Sequence, residues 1–137
     1  MLALGRDYLF FAKVNCTQQS LITTMVPRAL VITPNLLALV PLDEPEVLGF
    51  VRAVLADPDV DRERLENILA STLGHAPTRL VFRYAELEVF RVTAGFFGEI
   101  VLKRPGEPLR RLSIRDKGGK AAAKAFFDTR TRDRAAS

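Results

Sequence analysis

The run from Arg79 to Phe127 narrows the fold of this chain more than any other part, because strand-like segments follow one another there and lead directly into a short helix of alanine and phenylalanine. Leu80-Val81-Phe82 and Leu87-Glu88-Val89-Phe90-Arg91-Val92 are rich in the β-branched and aromatic residues that suit a pleated surface. In the second of these, Leu87, Val89 and Arg91 alternate with Glu88, Phe90 and Val92, and Tyr84-Ala85-Glu86 between the two runs reads as a break or bulge. Thr93-Ala94-Gly95 turns the chain into a strand over Phe97 to Lys103, and Arg104-Pro105-Gly106-Glu107-Pro108 reverses it again. Leu109 to Arg115 shows the clearest two-residue period, with Leu112 and Ile114 on one face and Arg111, Ser113 and Arg115 on the other. Gly118-Gly119 ends the sheet as a hinge. Lys120 to Asp128 is then a helix, whose apolar stripe of Ala122, Ala123, Phe126 and Phe127 must dock on something to be stable.

The earlier part of the chain reads as a second group of strands followed by two helices. Tyr8 to Val14 is a strand, Asn15 to Ser20 a polar turn, and Leu21 to Val26 a strand stopped by Pro27 and resumed over Arg28 to Thr33. Pro34-Asn35 reverses the chain into Leu36 to Leu42. At Asp43 the period changes: Val47, Leu48, Val51, Val54 and Leu55 recur at helical spacing, with Pro45 and Glu46 in the first turn. Asp61 caps a second helix striped by Leu65, Ile68, Leu69 and Leu73 and stopped by Gly74. Residues 44–74 are thus a helical hairpin between two groups of strands.

Composition limits what such a chain can do. Its 137 residues suffice for a core without staples, and 48% apolar with 26% charged residues is ordinary for a globular domain. No apolar run approaches the roughly 20 residues that span a bilayer. The start lacks the basic residues that precede the apolar core of a secretory leader, and the lone Cys16 allows no internal disulfide, so the expected setting is cytoplasmic. Residues 103–137 hold 11 Lys and Arg against 4 Asp and Glu, a net +7, whereas residues 1–102 carry 9 against 12, a net −3. Arg110, Arg111, Arg115, Lys117, Lys120 and Lys124 therefore form the candidate site, a basic patch for an acidic protein partner or an anionic membrane. Nucleic acid fits less well, because no aromatic side chains are interleaved with these cations.

No catalytic or cofactor motif is complete. Asp57, Asp59 and Asp61 have the spacing of a calcium loop, but Arg62 stands where that loop needs glycine and Ile68 where it needs glutamate, so a solvated turn is expected. Gly118-Gly119-Lys120 is followed by Ala121 where a phosphate loop requires Ser or Thr. His75 is the only histidine, placed at a helix end, and Cys16 has no companion ligands. Glu86, Glu88 and Asp116 are the carboxylates an enzyme would have to use, without supporting spacing.

The strand order, the segment Arg83 to Val89, the turn at Gly95 to Gly98, the strand Leu109 to Arg115 and the terminal helix resemble the second half of a pleckstrin-homology-like (PH-like) domain of the bacterial or GRAM-related kind. Ala29 to Val40 is similar to the hairpin in which such domains place Thr before the turn and a leucine run after it. The resemblance implies an α+β fold: an antiparallel PH-like β-barrel or rolled sheet with a C-terminal capping helix and a helical hairpin inserted at about 44–74. It implies one domain over 1–128, followed by a basic, frayed tail over 129–137. Phosphoinositide-binding members cluster basic residues at the end of the first strand and in the loop after it. The matching residues here, Asn15 to Ser20, carry none, with only Lys13 before them. The resemblance therefore implies a non-enzymatic binding or adaptor module without a cofactor, its partner a protein or an anionic membrane surface. The alternative is an assembly protein that forms homo-oligomers or docks through the hairpin 44–74.

Overall fold

The computed structural model describes residues 1–19, 24–76, 78–93, 98–115 and 117–136, with the side chains of residues 19, 117 and 130–136 excepted. The fold is α+β, with strands β1 (Leu9–Gln19), β2 (Thr24–Ile32), β3 (Leu36–Pro41), β4 (Val81–Arg83), β5 (Val89–Val92), β6 (Glu99–Lys103) and β7 (Leu109–Ser113). Helices α1 (Pro45–Ala56) and α2 (Arg62–Leu73) separate β3 from β4, and α3 (Lys117–Ala136) follows β7. The strands are hydrogen-bonded in the order β4-β3-β2-β1-β7-β6-β5, and their registered pairings are antiparallel. No helix among the described residues is long and apolar enough to cross a membrane. The chain divides into two compact units, one of Met1–Lys13 with Pro27–Glu86, the other of Val14–Val26 with Leu87–Ser137.

In the first unit β3 is the centre. Leu36 to Pro41 are all buried, as expected of a strand with neighbours on both edges and helices packed against it. The stripe residues Val51 and Val54 of α1 and Leu65, Leu69 and Leu73 of α2 are buried, and both helices contact β3. Asp61 caps α2 by accepting the Arg64 N–H at 2.8 Å, and Asp57 accepts the Asp59 N–H, so the aspartates between the helices serve the turn. Gly74 closes α2 for lack of room: a Cβ there would stand 2.4 Å from the Ala70 carbonyl oxygen. Thr33-Pro34-Asn35 makes the expected reversal, with the Thr33 N–H donating to the Leu36 carbonyl at 2.8 Å.

In the second unit Phe90 of β5 meets Phe127 of α3 edge-on, 5.1 Å between ring centroids, and Phe126 meets Phe127 at 6.0 Å. Leu102, opposite Phe90, is buried, as are Ile100, Leu112, Ala123, Phe126 and Phe127. Gly106, at φ 77°, supplies the left-handed residue in the β6–β7 turn.

Several expectations are corrected. Asn15 to Gln19 form no turn but the second half of β1, paired with Ser113 to Leu109; this long-range ladder overrides their polar composition. The segment carried over as a binding loop is therefore strand, and residues 20–23, which connect β1 to β2, lie outside the described residues. Pro27 does not interrupt β2, because the β3 ladder begins only at Arg28, where Pro41 is its partner, so the missing N–H costs no bond to β3. Gly118 and Gly119 lie inside the first turn of α3, and the helix continues past Asp128 because Thr129 to Ala136 contain no Gly or Pro to stop it. Ala122 is exposed; the buried side of α3 is Gly119, Ala123, Phe126 and Phe127, spaced four, three and one residues apart. The turn residues 94–97 and Asp116 lie outside the described residues. Replacing Phe127 by alanine removes both ring contacts, and urea denaturation should show the variant less stable by about 3 kcal/mol.

Candidate functional site

Strand register decides where the expected cations lie. Arg91, Val101, Arg111 and Thr17 are directly opposite one another across β5, β6, β7 and β1, so they share one sheet face. Phe90 and Leu102, their immediate neighbours in sequence, therefore point to the other face, where α3 packs. Arg111 belongs to the face turned away from α3, and Arg110, opposite Leu102, to the face under it.

The five expected residues whose side chains are described do not form one patch, since Arg110 and Arg111 lie on opposite faces of the sheet. The Arg110 side chain is only 14% exposed and lies 3.9 Å from Glu107, whose carboxylate also holds the buried Arg104 at 2.9 Å. Arg111 is ion-paired with Glu99. Arg115 is exposed, and its guanidinium donates to the Asn15 amide oxygen at 3.1 Å when that amide is turned toward it. Lys124 pairs with Asp128 one helical turn on, at 2.6 Å, and Lys120 is half-buried on the same helix. The Lys117 side chain lies outside the described residues.

Two cations that sequence reasoning did not single out belong with Arg111. Arg91 is exposed and has no ion pair among the described residues, and Lys103, two residues beyond Val101, holds Glu88 at 2.7 Å. Register thus places Arg91, Lys103 and Arg111 with Glu99 on the face away from α3. Glu88, just before β5, reaches Lys103 there, and Arg115, two residues beyond β7, lies beside Asn15 of the same face. Val101 is buried between two arginines whose aliphatic stems can cover it. The signal for Arg91 was its alternation with Val89, but placing it beside Arg111 required the pairing of β5, β6 and β7.

The first unit holds a second polar cluster. Buried Asp7 accepts the Ala3 N–H at 2.8 Å, Arg6 at 3.0 Å, and two donors of Arg62 at 3.1 and 2.8 Å. Nearby, buried Glu66 of α2 accepts the Thr33 hydroxyl at 2.6 Å, the Asn35 N–H at 3.2 Å and the Asn35 amide at 3.0 Å. The Tyr84 hydroxyl lies 2.8 Å from the carbonyl oxygens of both Thr33 and Leu36. An open cleft of about 610 Å³ is lined by Arg6, Asp7, Asn35, Arg62 and Glu66, among others. The Asp7 and Glu66 carboxylates have their donors supplied by neighbouring elements, so the cluster fastens α2 and the N-terminal turn. Nothing in the sequence flagged Glu66, which sits inside the apolar stripe of α2. Of the carboxylates an enzyme would need, Glu86 is exposed in a single 3-10 turn and Glu88 is held by Lys103. Exposed His75 follows the end of α2, and Cys16 is buried opposite Leu112.

Compared with known protein families and with curated proteins, this chain matches none.

Burial alone would raise the Asp7 carboxyl, but the hydrogen bonds from Arg6, the Ala3 N–H and Arg62 outweigh it and hold the pKa at about 2 instead of 3.8. The folded-state value lies below the unfolded one, so the ionised group stabilises the fold above about pH 4, and that contribution is lost as the pH falls through about 2. The full shift corresponds to about 2 kcal/mol. With the Arg6 and Arg62 side chains 68% and 37% exposed, screening leaves about 1 kcal/mol. Asp7→Asn should therefore lower stability at pH 7 by about 1 kcal/mol and flatten its dependence between pH 4 and 2, as read by urea denaturation across that range. Glu66→Ala should cost more, about 2–3 kcal/mol, because the Asn35 N–H and side-chain amide lose their acceptor and the buried Thr33 hydroxyl keeps only the longer bond to the Leu36 carbonyl, at 3.1 Å.

Proposed function

We propose that this chain is a non-enzymatic binding module of the PH-like type, with the helices at 44–74 as an insertion, and that it recognises an acidic surface through the sheet face of β5, β6 and β7 that is turned away from α3. The observation that carries this reading is the shared register of Arg91, Val101 and Arg111, with Lys103 on the same face and exposed Arg115 just beyond the end of β7. A stiff, hydrogen-bonded strand array holds these side chains at fixed spacing, so little ordering is needed when a charged partner arrives. The strand and helix order supports the PH-like scaffold by analogy of fold, while the surface argues for the ligand. An acidic protein is the partner favoured, because Glu88 and Glu99 among the cations suit a patterned surface better than a uniformly charged bilayer. A cytoplasmic setting, suggested by a sequence with one cysteine and hence no internal disulfide, belongs to the same reading.

The assembly reading has less support, since the apolar stripes of α1 and α2 are spent on β3. It would have to use the exposed Phe50 on the outer side of α1.

The test is a paired experiment on the full chain with and without Arg111→Glu and Arg115→Glu. Pull-down should capture an acidic protein with the native chain and lose it with the double variant, with binding weakened at least about tenfold and falling as salt rises. Sedimentation with phosphatidylserine-rich and phosphatidylcholine vesicles reads the membrane version in parallel. If the native chain and the double variant behave alike in both assays, the reading fails.

A further inference from the structure

The N-terminal turn of the first unit presents an apolar side chain to solvent on a rigid support. The Gly5 N–H donates to the Tyr8 carbonyl at 2.8 Å, the Asp7 N–H to the Ala3 carbonyl at 2.8 Å, and Gly5 itself takes the left-handed conformation at φ 86°. Below the turn, the Asp7 carboxylate grips the backbone of Ala3 and the guanidinium of Arg62, which anchors it to α2. Leu4 nevertheless stands 69% exposed on this fastened turn. Beside it opens a groove of about 380 Å³ lined by Leu4, Tyr8, Phe10, Arg52, Leu55 and Ala56. The lining is aliphatic and aromatic except for one phenol and one cation. Arg52 lies with its guanidinium carbon 5.3 Å from the centre of the Phe10 ring, which holds the charge at the groove. No carboxylate lines the groove, and Arg52 has no ion pair among the described residues.

We propose that this groove binds an aliphatic monocarboxylate, a medium-chain fatty acid, with its alkyl chain against Leu4, Phe10 and Leu55 and its carboxylate on Arg52. Charge complementarity selects the head group: one guanidinium balances the single charge of a carboxylate and holds it through two parallel hydrogen bonds. A phosphate dianion, held in the same geometry, would keep a second charge that no other lining cation balances. The lining selects a chain over a peptide: an extended peptide would bring amide groups that the Tyr8 hydroxyl and Arg52 cannot satisfy. The volume lies at the small end of the roughly 300–1,000 Å³ usual for small-molecule sites, which suits a single unbranched chain. This site is independent of the cationic sheet face of the second unit.

Titration of the isotope-labelled full chain with hexanoate and decanoate below their micelle concentrations, and with decanol below its solubility limit, tests the proposal by amide chemical shifts. Decanoate should shift Leu4, Phe10, Arg52 and Leu55. It should bind about tenfold more tightly than hexanoate, which is less than the roughly fourfold per methylene of complete burial because the groove is open on one side. Decanol should bind several-fold more weakly than decanoate. Arg52→Gln should remove that head-group difference, and Leu4→Ser should weaken decanoate and decanol alike. Both replaced residues are exposed, so an otherwise unchanged amide spectrum shows that the variants fold. Equal binding of decanoate and decanol by the native chain, an unchanged head-group preference in Arg52→Gln, or shifts that map away from these residues would overturn the proposal.

Discussion

The ladder between Asn15–Gln19 and Ser113–Leu109 is the contact on which the second unit depends. It joins segments far apart in sequence, so closing it costs loop entropy that the ladder hydrogen bonds and the cross-strand pairs must offset. Once it forms, the face of every residue in β7 is set, because a slip of one residue would exchange Leu112 for Arg111 under α3. Burying an unpaired guanidinium there would cost several kcal/mol, and this penalty specifies the register more strongly than the polar side chains of Asn15 to Gln19 could. The same register gathers Arg91, Lys103 and Arg111 on the opposite face, so the cationic surface follows from satisfying the core.

The first unit rests on a comparable exclusion of water. β3 is buried along its whole length, and the helices against it bring one carboxylate inside with them. Glu66 is tolerated because the β2–β3 turn supplies a hydroxyl, a backbone N–H and a side-chain amide at bonding distance. Hydrophobic burial fixes that α2 lies on the strand, and the polar contacts fix how far along it the helix sits. Asp7 plays the same part for the N-terminal turn, with Arg62 of α2 as its partner. The apolar groove owes its rigid rim to that contact, since an unfastened N-terminus would not hold Leu4 beside Phe10 and Leu55.

The candidate site therefore has a different origin from a catalytic centre assembled at a motif. Its members come from three strands, each with ordinary alternation, and acquire a common role only through pairing. Arg110 and Arg111 are adjacent in sequence and lie on opposite sides of the sheet. One reaches into the Glu107 cluster and the other faces outward beside Glu99.

What could be read from the residues alone was whatever depends on neighbours within a few positions. The two-residue period of Leu109 to Arg115, the helical period over 44–74, the Asp61 cap, the Gly74 stop and the docking stripe of Phe126 and Phe127 are local consequences of side-chain spacing, and the structure has them all. Folding alone decided what depends on distant partners: that Asn15 to Gln19 are strand, that Pro27 is accommodated, that Glu66 is buried, and that Arg91 stands beside Arg111. The reason is that a β-ladder, a buried charge and a shared sheet face are each defined by atoms on separate segments, and no spacing along one segment encodes which other segment will supply them.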